Sequence, residues 1–242
     1  MYKQTAMNIA QEFNTWQDGY TEKVLRWVPY YQDLLHNAAG HLFSGAEPLQ
    51  VLDLGCGNGN ATALLLARFP AASFTLLDAS EEMLSACEAR FGHRSEFERV
   101  QAYFETTQFE PQRFDLIVAV LALHHLPAGE KQRLFAAIRS WLKPGGVFRY
   151  ADLFASKTWP HYEKEVIADW KAQALQRGTT EEEWAALMQH HERYDFPDTF
   201  EDTLAWLRDA GFESVAITWQ SGFWGSIAAT APPALAFLQR ES

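Results

Sequence analysis

His124 and His125 stand side by side just after an apolar run, Phe114 to Val120, and Asp152 lies near the end of a second such run. Imidazoles and a carboxylate brought to one place can take a proton from a hydroxyl, an ammonium or an acidic carbon, so these three are the candidate catalytic residues. Tyr150 shares a strand face with Asp152, because alternate residues of a strand point the same way, and is expected to open with it toward one crevice. A different chemistry is written in Asp53-Leu54-Gly55-Cys56-Gly57-Asn58-Gly59. Glycines at that density let the backbone turn tightly and let a ligand approach with no Cβ in the way. Asp78 closes the next apolar run about two dozen residues on, where a carboxylate hydrogen-bonds ribose hydroxyls.

The loop departs from the dinucleotide fingerprint, which needs glycine at the position held here by Asn60. Asp53 adds a carboxylate two residues before Gly55, which suits a cationic ligand better than a pyrophosphate. An acid near an amino acid and sulfonium, with a second acid at a ribose, describes S-adenosylmethionine better than NAD. His161, His190, His191, Glu192 and Arg193 lie further along in helical sequence, where such residues read as a solvated face. His190 and His191 point about 100° apart on a helix, and no His/Cys/Asp group has zinc spacing, so no metal site is expected.

These residues need a frame to hold them. Leu49–Leu54, Ser73–Asp78, Phe97–Tyr103, Phe114–Val120 and Val147–Leu153 read as strands. Between them, Ala61–Phe69, the stretch from an N-cap at Ser80 to Arg90, and Ala128–Leu142 read as helices. A helix over Asp198–Ala210 then precedes strands near Ser214–Trp219 and Gly222–Ala229, close enough to pair antiparallel. The alternation predicts an α/β fold, Rossmann-like, with a seven-stranded, mostly parallel sheet, an antiparallel last strand and helices on both faces. Residues 1–46 form a helical extension and residues 155–196 a helical cap insert after the fifth strand, all within one domain spanning 1–242. Thr180 and Glu183 have the capping-box spacing.

The chain resembles the class I S-adenosylmethionine-dependent methyltransferases from Val51 through Asp152, and more loosely to residue 230. The marks are Val51 to Gly59, then Asp78-Ala79-Ser80-Glu81-Glu82-Met83-Leu84, then Phe114-Asp115-Leu116-Ile117-Val118 with His124-His125-Leu126, and finally Leu142-Lys143-Pro144-Gly145-Gly146. The resemblance implies methyl transfer to a small molecule, with Gly55, Cys56 and Gly57 along the methionine part of the cofactor and Asp53 close behind. It places Asp78 at the ribose, Ala79 and Met83 around the adenosine, and Val120 and Leu121 beneath the sulfur. Many relatives carry an acid after the third strand. Here Ala102-Tyr103-Phe104 takes its place, so Tyr103 and Phe104 imply an adenine held by stacking and backbone contacts. The flanks, Arg26-Trp27-Val28-Pro29-Tyr30-Tyr31 and Ala210-Gly211-Phe212 to Trp219, are similar to the carboxy-S-adenosylmethionine synthase branch used in tRNA modification. That likeness points to Tyr31 as a cofactor contact, and sets Met188 near the place of the synthase's carboxylate-binding arginine, with Arg193 the nearest cation.

The 242 residues carry 20 Lys+Arg against 31 Asp+Glu, a formal charge of -11, which makes a nucleic-acid partner a poor expectation. Cys56 and Cys87 are the two cysteines, so a reducing, cytoplasmic setting is expected. No apolar signal core opens the sequence, and the run Leu116–Leu123 is too short to cross a bilayer. Trp159, Trp170, Trp184 and Phe196 suggest a cap over an apolar or aromatic acceptor, and exposed on that cap they would suit a homodimer. A noncatalytic S-adenosylmethionine-binding module is the reading from a different class, since a cofactor loop alone does not require turnover.

Overall fold

The structure, a computed structural model, describes residues 9–14, 16, 19–39, 49–92, 94 and 96–234. Seven strands form one sheet in the order β3-β2-β1-β4-β5-β7-β6. They are β1 (Gln50–Leu54), β2 (Ser73–Asp78), β3 (Phe97–Gln101), β4 (Phe114–Val120), β5 (Leu142–Leu153), β6 (Ser214–Ser221) and β7 (Trp224–Thr230). β7 runs antiparallel to both neighbours, while β1 to β5 pair in parallel. The strand order reverses between β1 and β4, which opens a crevice at their carboxyl ends.

Central strands are apolar on both faces because each face meets a layer of helices. Val51, Val118 and Ala151 pack on one side, under α1 (Tyr20–Trp27), α2 (Tyr31–Ala38) and α3 (Asn60–Arg68). Leu52, Ile117 and Phe148 pack on the other, against α5 (Ala128–Trp141) and α8 (Phe200–Asp209). α4 (Glu81–Phe91) starts at Ser80, whose hydroxyl accepts from Met83 N at 3.1 Å. β5 begins earlier than Val147: Leu142 already pairs with Phe114, and a register shift between Phe114 and Leu116 takes up Lys143–Gly146. β3 ends at Gln101, so Tyr103 lies in the loop that follows.

The insert folds as a π-turn (Tyr162–Ile167), α6 (Ala168–Gln176) and α7 (Glu181–Tyr194), the last opened by the expected capping box. Trp170 Nε1 donates to Trp27 O at 2.5 Å, and Arg26 pairs with Glu183 at 2.5 Å, tying the insert to α1. The cap aromatics turn inward: Trp170 meets Trp184 and Trp224 edge to face, and all three are buried. Trp159 and Phe196, the other two cap aromatics, are half-buried. Among the described residues Ile217 alone is an exposed large hydrophobic side chain. Residues 1–8, 15, 17, 18 and 40–46 of the expected helical extension lie outside the described residues. No described helix is long and apolar enough to cross a membrane.

Candidate active site

Two cavities meet at the carboxyl ends of β1 and β4. The first, with its open mouth, spans about 920 Å³. Gly55, Cys56 and Gly57 form part of its wall, with Asp53 at the end of β1 behind them. Asp78, Ala79 and Met83 line the β2 side, Tyr103 and Phe104 the β3 side, and Val120 and Leu121 the β4 side. Tyr31 reaches in from α2, so all twelve residues expected at a cofactor line this one cavity.

The loop is shaped for close approach. Gly55 has φ +78, and a Cβ there would stand 2.5 Å from Ala122 Cβ; Gly57 has φ +52, and a Cβ there would meet no atom within 4 Å. The space before Gly57 is thus open. Asp78 braces the turn by accepting from Gly57 N at 2.8 Å and Ser80 N at 2.9 Å. A carboxylate has about four acceptor positions, so Asp78 keeps acceptor capacity toward the cavity. Asp53 is 1% exposed and accepts from Thr62 Oγ1 at 2.5 Å. Burial pushes its carboxyl up to about 6, because that one hydroxyl does not replace lost hydration. Among the described residues no lysine or arginine lines this cavity. A wall with the carboxylates of a buried Asp53 and a half-buried Asp78 and no cation accepts a sulfonium or ammonium group and disfavours a pyrophosphate, and S-adenosylmethionine fits it on those grounds.

Some residues of this wall were missed in the sequence. Asn60, read there as a broken fingerprint, donates to Tyr31 Oη at 2.9 Å and accepts from Arg90 at 2.7 Å, which ties α2 and α4 to the loop. Tyr20 and Phe13 also line the cavity, from a segment without strong periodicity.

The second cavity, about 580 Å³, shares Phe13, Tyr20, Leu121 and His125 with the first. Trp16, Trp27 and Trp170 give it an aromatic wall, and His124, His190, His191, Asp152 and Asp195 form its polar end. Phe13 packs edge to face on His125, Trp16 lies 4.7 Å from His190, and Asn14 accepts from Ser80 Oγ at 2.7 Å. The segment around residues 9–16 therefore roofs both cavities.

His124 Nδ1 pairs with Asp152 Oδ1 at 2.6 Å, and its main-chain N–H donates to Asp152 Oδ2 at 3.2 Å. Asp152 is fully buried beneath the ring and fixes which nitrogen, Nε2, faces the cavity. Against the effect of burial, the carboxylates of Asp152 and Asp195 hold His124 above the ordinary imidazole range. Burial pushes His125 down to about 4. Asp195 escaped sequence analysis altogether. His191 Nδ1 meets Asp195 Oδ2 at 2.7 Å, and Tyr162 Oη bonds His191 Nε2 at 2.8 Å. The Asp195 segment is clamped from behind: Phe196 N donates to His124 O at 2.6 Å, and the buried Lys131 donates to Phe196 O at 2.5 Å and pairs with Asp198.

Other expectations change. Tyr150 packs against Phe135, Phe148 and Phe154 in the core below the crevice and lines neither cavity, because its ring extends under α5. His161, Glu192 and Arg193 are exposed, as a solvated face requires, whereas His190 and His191 are buried at the point where α7 ends and the chain turns back at Asp195. Arg193 lies over the Tyr194 ring and Met188 packs on the core, so neither lines the cofactor cavity. The synthase resemblance thus lacks its carboxylate-binding arginine.

Sheet order, glycine loop and carboxylate pair are those of the class I S-adenosylmethionine-dependent methyltransferases, which the chain resembles. Residues 51–146 match the family described as Methyltransferase domain. Phthiotriol/phenolphthiotriol dimycocerosates methyltransferase of Mycobacterium tuberculosis is 31% identical over 60% of this chain and 52% of its own length. Trans-aconitate 2-methyltransferase of Variovorax paradoxus is 42% identical over 42% of this chain and 37% of its own. The chain thus spans about half or less of the curated relatives it matches. The fold is that of human N-acetylserotonin methyltransferase, solved in complex with SAM (TM-score 0.62, 16% identity, covering 92% of this chain and 56% of that one). It is also that of an O-methyltransferase family protein of Burkholderia thailandensis (TM-score 0.64, 16% identity, 90% and 60%).

Proposed function

We propose that this chain is one methyltransferase domain that moves a methyl group from S-adenosylmethionine to a small, partly apolar acceptor in the second cavity. The observation that carries this is the junction: an anionic cavity suited to a sulfonium opens, through Leu121 and His125, into an aromatic chamber with a polar end. The bound cofactor supplies an activated methyl group, so the protein's main task is alignment of the partners in a dry pocket. Leu121, at φ +51, holds a strained backbone at the junction, which is consistent with a position shaped for function. Asp78 holds the ribose, Asp53 faces the cationic end, and Tyr103 with Phe104 flanks the adenine. His124 and His125 act on the nucleophilic atom of the acceptor, with Asp152 positioning His124. The named relatives act on phthiotriol or phenolphthiotriol dimycocerosates and on trans-aconitate, and the aromatic wall favours an acceptor that combines an apolar body with a polar end. Two free, buried cysteines favour a reducing compartment such as the cytoplasm.

Titration calorimetry with S-adenosylmethionine and S-adenosylhomocysteine tests the cofactor half. Asp78→Ala removes hydrogen bonds to a charged group worth about 1.5–3 kcal/mol, so affinity should fall roughly 10- to 150-fold. Unchanged affinity would remove Asp78 from the ribose. For the acceptor half, transfer of isotope-labelled methyl to pools of hydroxy and carboxylic acids, phenols and amines is read by mass spectrometry. Failure of the protein to bind either cofactor form would sink the reading.

A further inference from the structure

The polar end of the second cavity contains a donor set that acid–base chemistry does not account for. Three imidazole nitrogens surround a single carboxylate oxygen, Asp195 Oδ1: His125 Nδ1 at 3.1 Å, His190 Nε2 at 3.5 Å and His124 Nε2 at 3.7 Å. Asp195 is 8% exposed and His125 9%, yet neither Asp195 Oδ1 nor His125 Nδ1 has a hydrogen-bond partner among the described residues. Both atoms are shielded from water and lie 3.1 Å apart without the alignment of a hydrogen bond. A hydrogen-bonded core would not leave both groups unsatisfied.

We propose that His124 Nε2, His125 Nδ1 and Asp195 Oδ1 bind a divalent transition-metal ion of the zinc, iron or cobalt class. One ligand atom each from His124, His125 and Asp195 lies within 4.8 Å of the others. Donors about 2.0–2.2 Å from a tetrahedral ion lie about 3.3–3.6 Å from one another, and the observed 3.1 and 3.7 Å bracket that spacing. Imidazole with one carboxylate suits these ions and not calcium or magnesium, which take oxygen cages. The outer ring of groups is also that of a metal site. Asp152 takes the other nitrogen of His124, and His191, itself held by Tyr162, takes the other oxygen of Asp195. Such partners orient ligands and fix the ring tautomer. Lys131 and the Phe196–His124 main-chain bond lock the two ligand-bearing segments together.

The site opens on the aromatic chamber, so an ion there keeps a coordination position for an incoming group. Resting on the methyl-transfer reading above, this narrows the acceptor to a molecule with an oxygen donor, such as a hydroxyl or carboxylate, held by the ion next to Leu121. His124 and His125 then act on the acceptor through the metal and not as free bases. The expectation of no metal site rested on spacing along the chain; the ligands come from the loop after β4 and the turn after α7, which only the fold brings together.

Tag-free protein, stripped with a chelator and dialysed, is titrated with Co²⁺ and Zn²⁺, and S-adenosylhomocysteine binding is measured on the same samples. The expected result is one ion per chain, visible-region Co²⁺ bands typical of low coordination number, and their displacement by Zn²⁺. Asp195→Asn and His125→Gln should each abolish the bands, and Asp152→Asn should weaken Zn²⁺ binding roughly 10- to 100-fold with the ligands intact. Absence of bands in protein that still binds S-adenosylhomocysteine would overturn the metal site alone, as would bands that persist in both ligand variants. Metal binding without any S-adenosylhomocysteine binding would uphold the site and sink the methyl-transfer reading.

Discussion

Gly55→Ala and Gly57→Ala place the same methyl group two residues apart on one loop, and the structure requires opposite outcomes. At Gly55 the new Cβ would stand 2.5 Å from Ala122 Cβ and 3.1 Å from Phe104, with φ at +78. Left-handed backbone costs an alanine roughly 1–2 kcal/mol and overpacking roughly 1–3 kcal/mol, about 2–5 kcal/mol together. In a chain of this size each 1 kcal/mol moves the melting point roughly 2–4 °C, so Gly55→Ala should melt roughly 4–20 °C lower. At Gly57 the Cβ meets nothing within 4 Å and φ is +52, so only the backbone cost applies, roughly 2–8 °C. The methyl there fills space facing the cavity. Its clash with a ligand, roughly 1–3 kcal/mol if it behaves like overpacking, weakens S-adenosylhomocysteine roughly 5- to 150-fold. Thermal melts and calorimetry on the two variants read both quantities. A folded Gly57→Ala protein that binds S-adenosylhomocysteine as tightly as the parent would refute the assignment of that space to the cofactor.

Asp53 couples binding to pH. Its carboxyl, raised from 3.8 to about 6 by burial, is ionised when it meets a cationic ligand, so affinity for S-adenosylmethionine should level off above pH 7 and fall below pH 6, approaching tenfold per pH unit. The same raised value contributes stability present below pH 3.8 and lost as pH rises through about 6, at most about 3 kcal/mol. Asp53→Asn should therefore flatten the binding profile and raise the melting point at pH 8; a profile unchanged in the variant would remove Asp53 from the cationic subsite. Lys131→Met leaves Asp198 unpaired and Phe196 O without its donor, at a cost on the order of 3 kcal/mol by denaturant unfolding. Stability within about 1 kcal/mol of the parent would show that the clamp contributes little.

The sequence made some parts of this site legible and hid others, for physical reasons. The cofactor wall is built from loops that directly follow strands, so Gly55, Gly57, Asp78 and Leu121 announce themselves through residue type at a fixed place after an apolar run. Its outer contributors do not: Asn60 acts through Tyr31 and Arg90, which belong to other helices. The start of β5 was misjudged because Pro144 and the glycines after it look like a stop, whereas the ladder with β4 resumes across a register shift. The insert was recognisable as helical and aromatic, but the direction in which Trp170 and Trp184 face depends on α1 being packed over them. Asp195 was invisible because its meaning comes from His124 and His125, some seventy residues earlier in the chain, meeting His190 and His191 just before it.

The roof over the two cavities has a thermodynamic consequence. Phe13 touches His125 on the acceptor side and lines the cofactor side, while Asn14 is bonded to the residue that caps α4. A segment shared by two walls couples their occupants, because a ligand that fixes it from one chamber sets the surface that the other chamber presents. Such coupling is reciprocal, so each occupant changes the affinity of the other by the same factor.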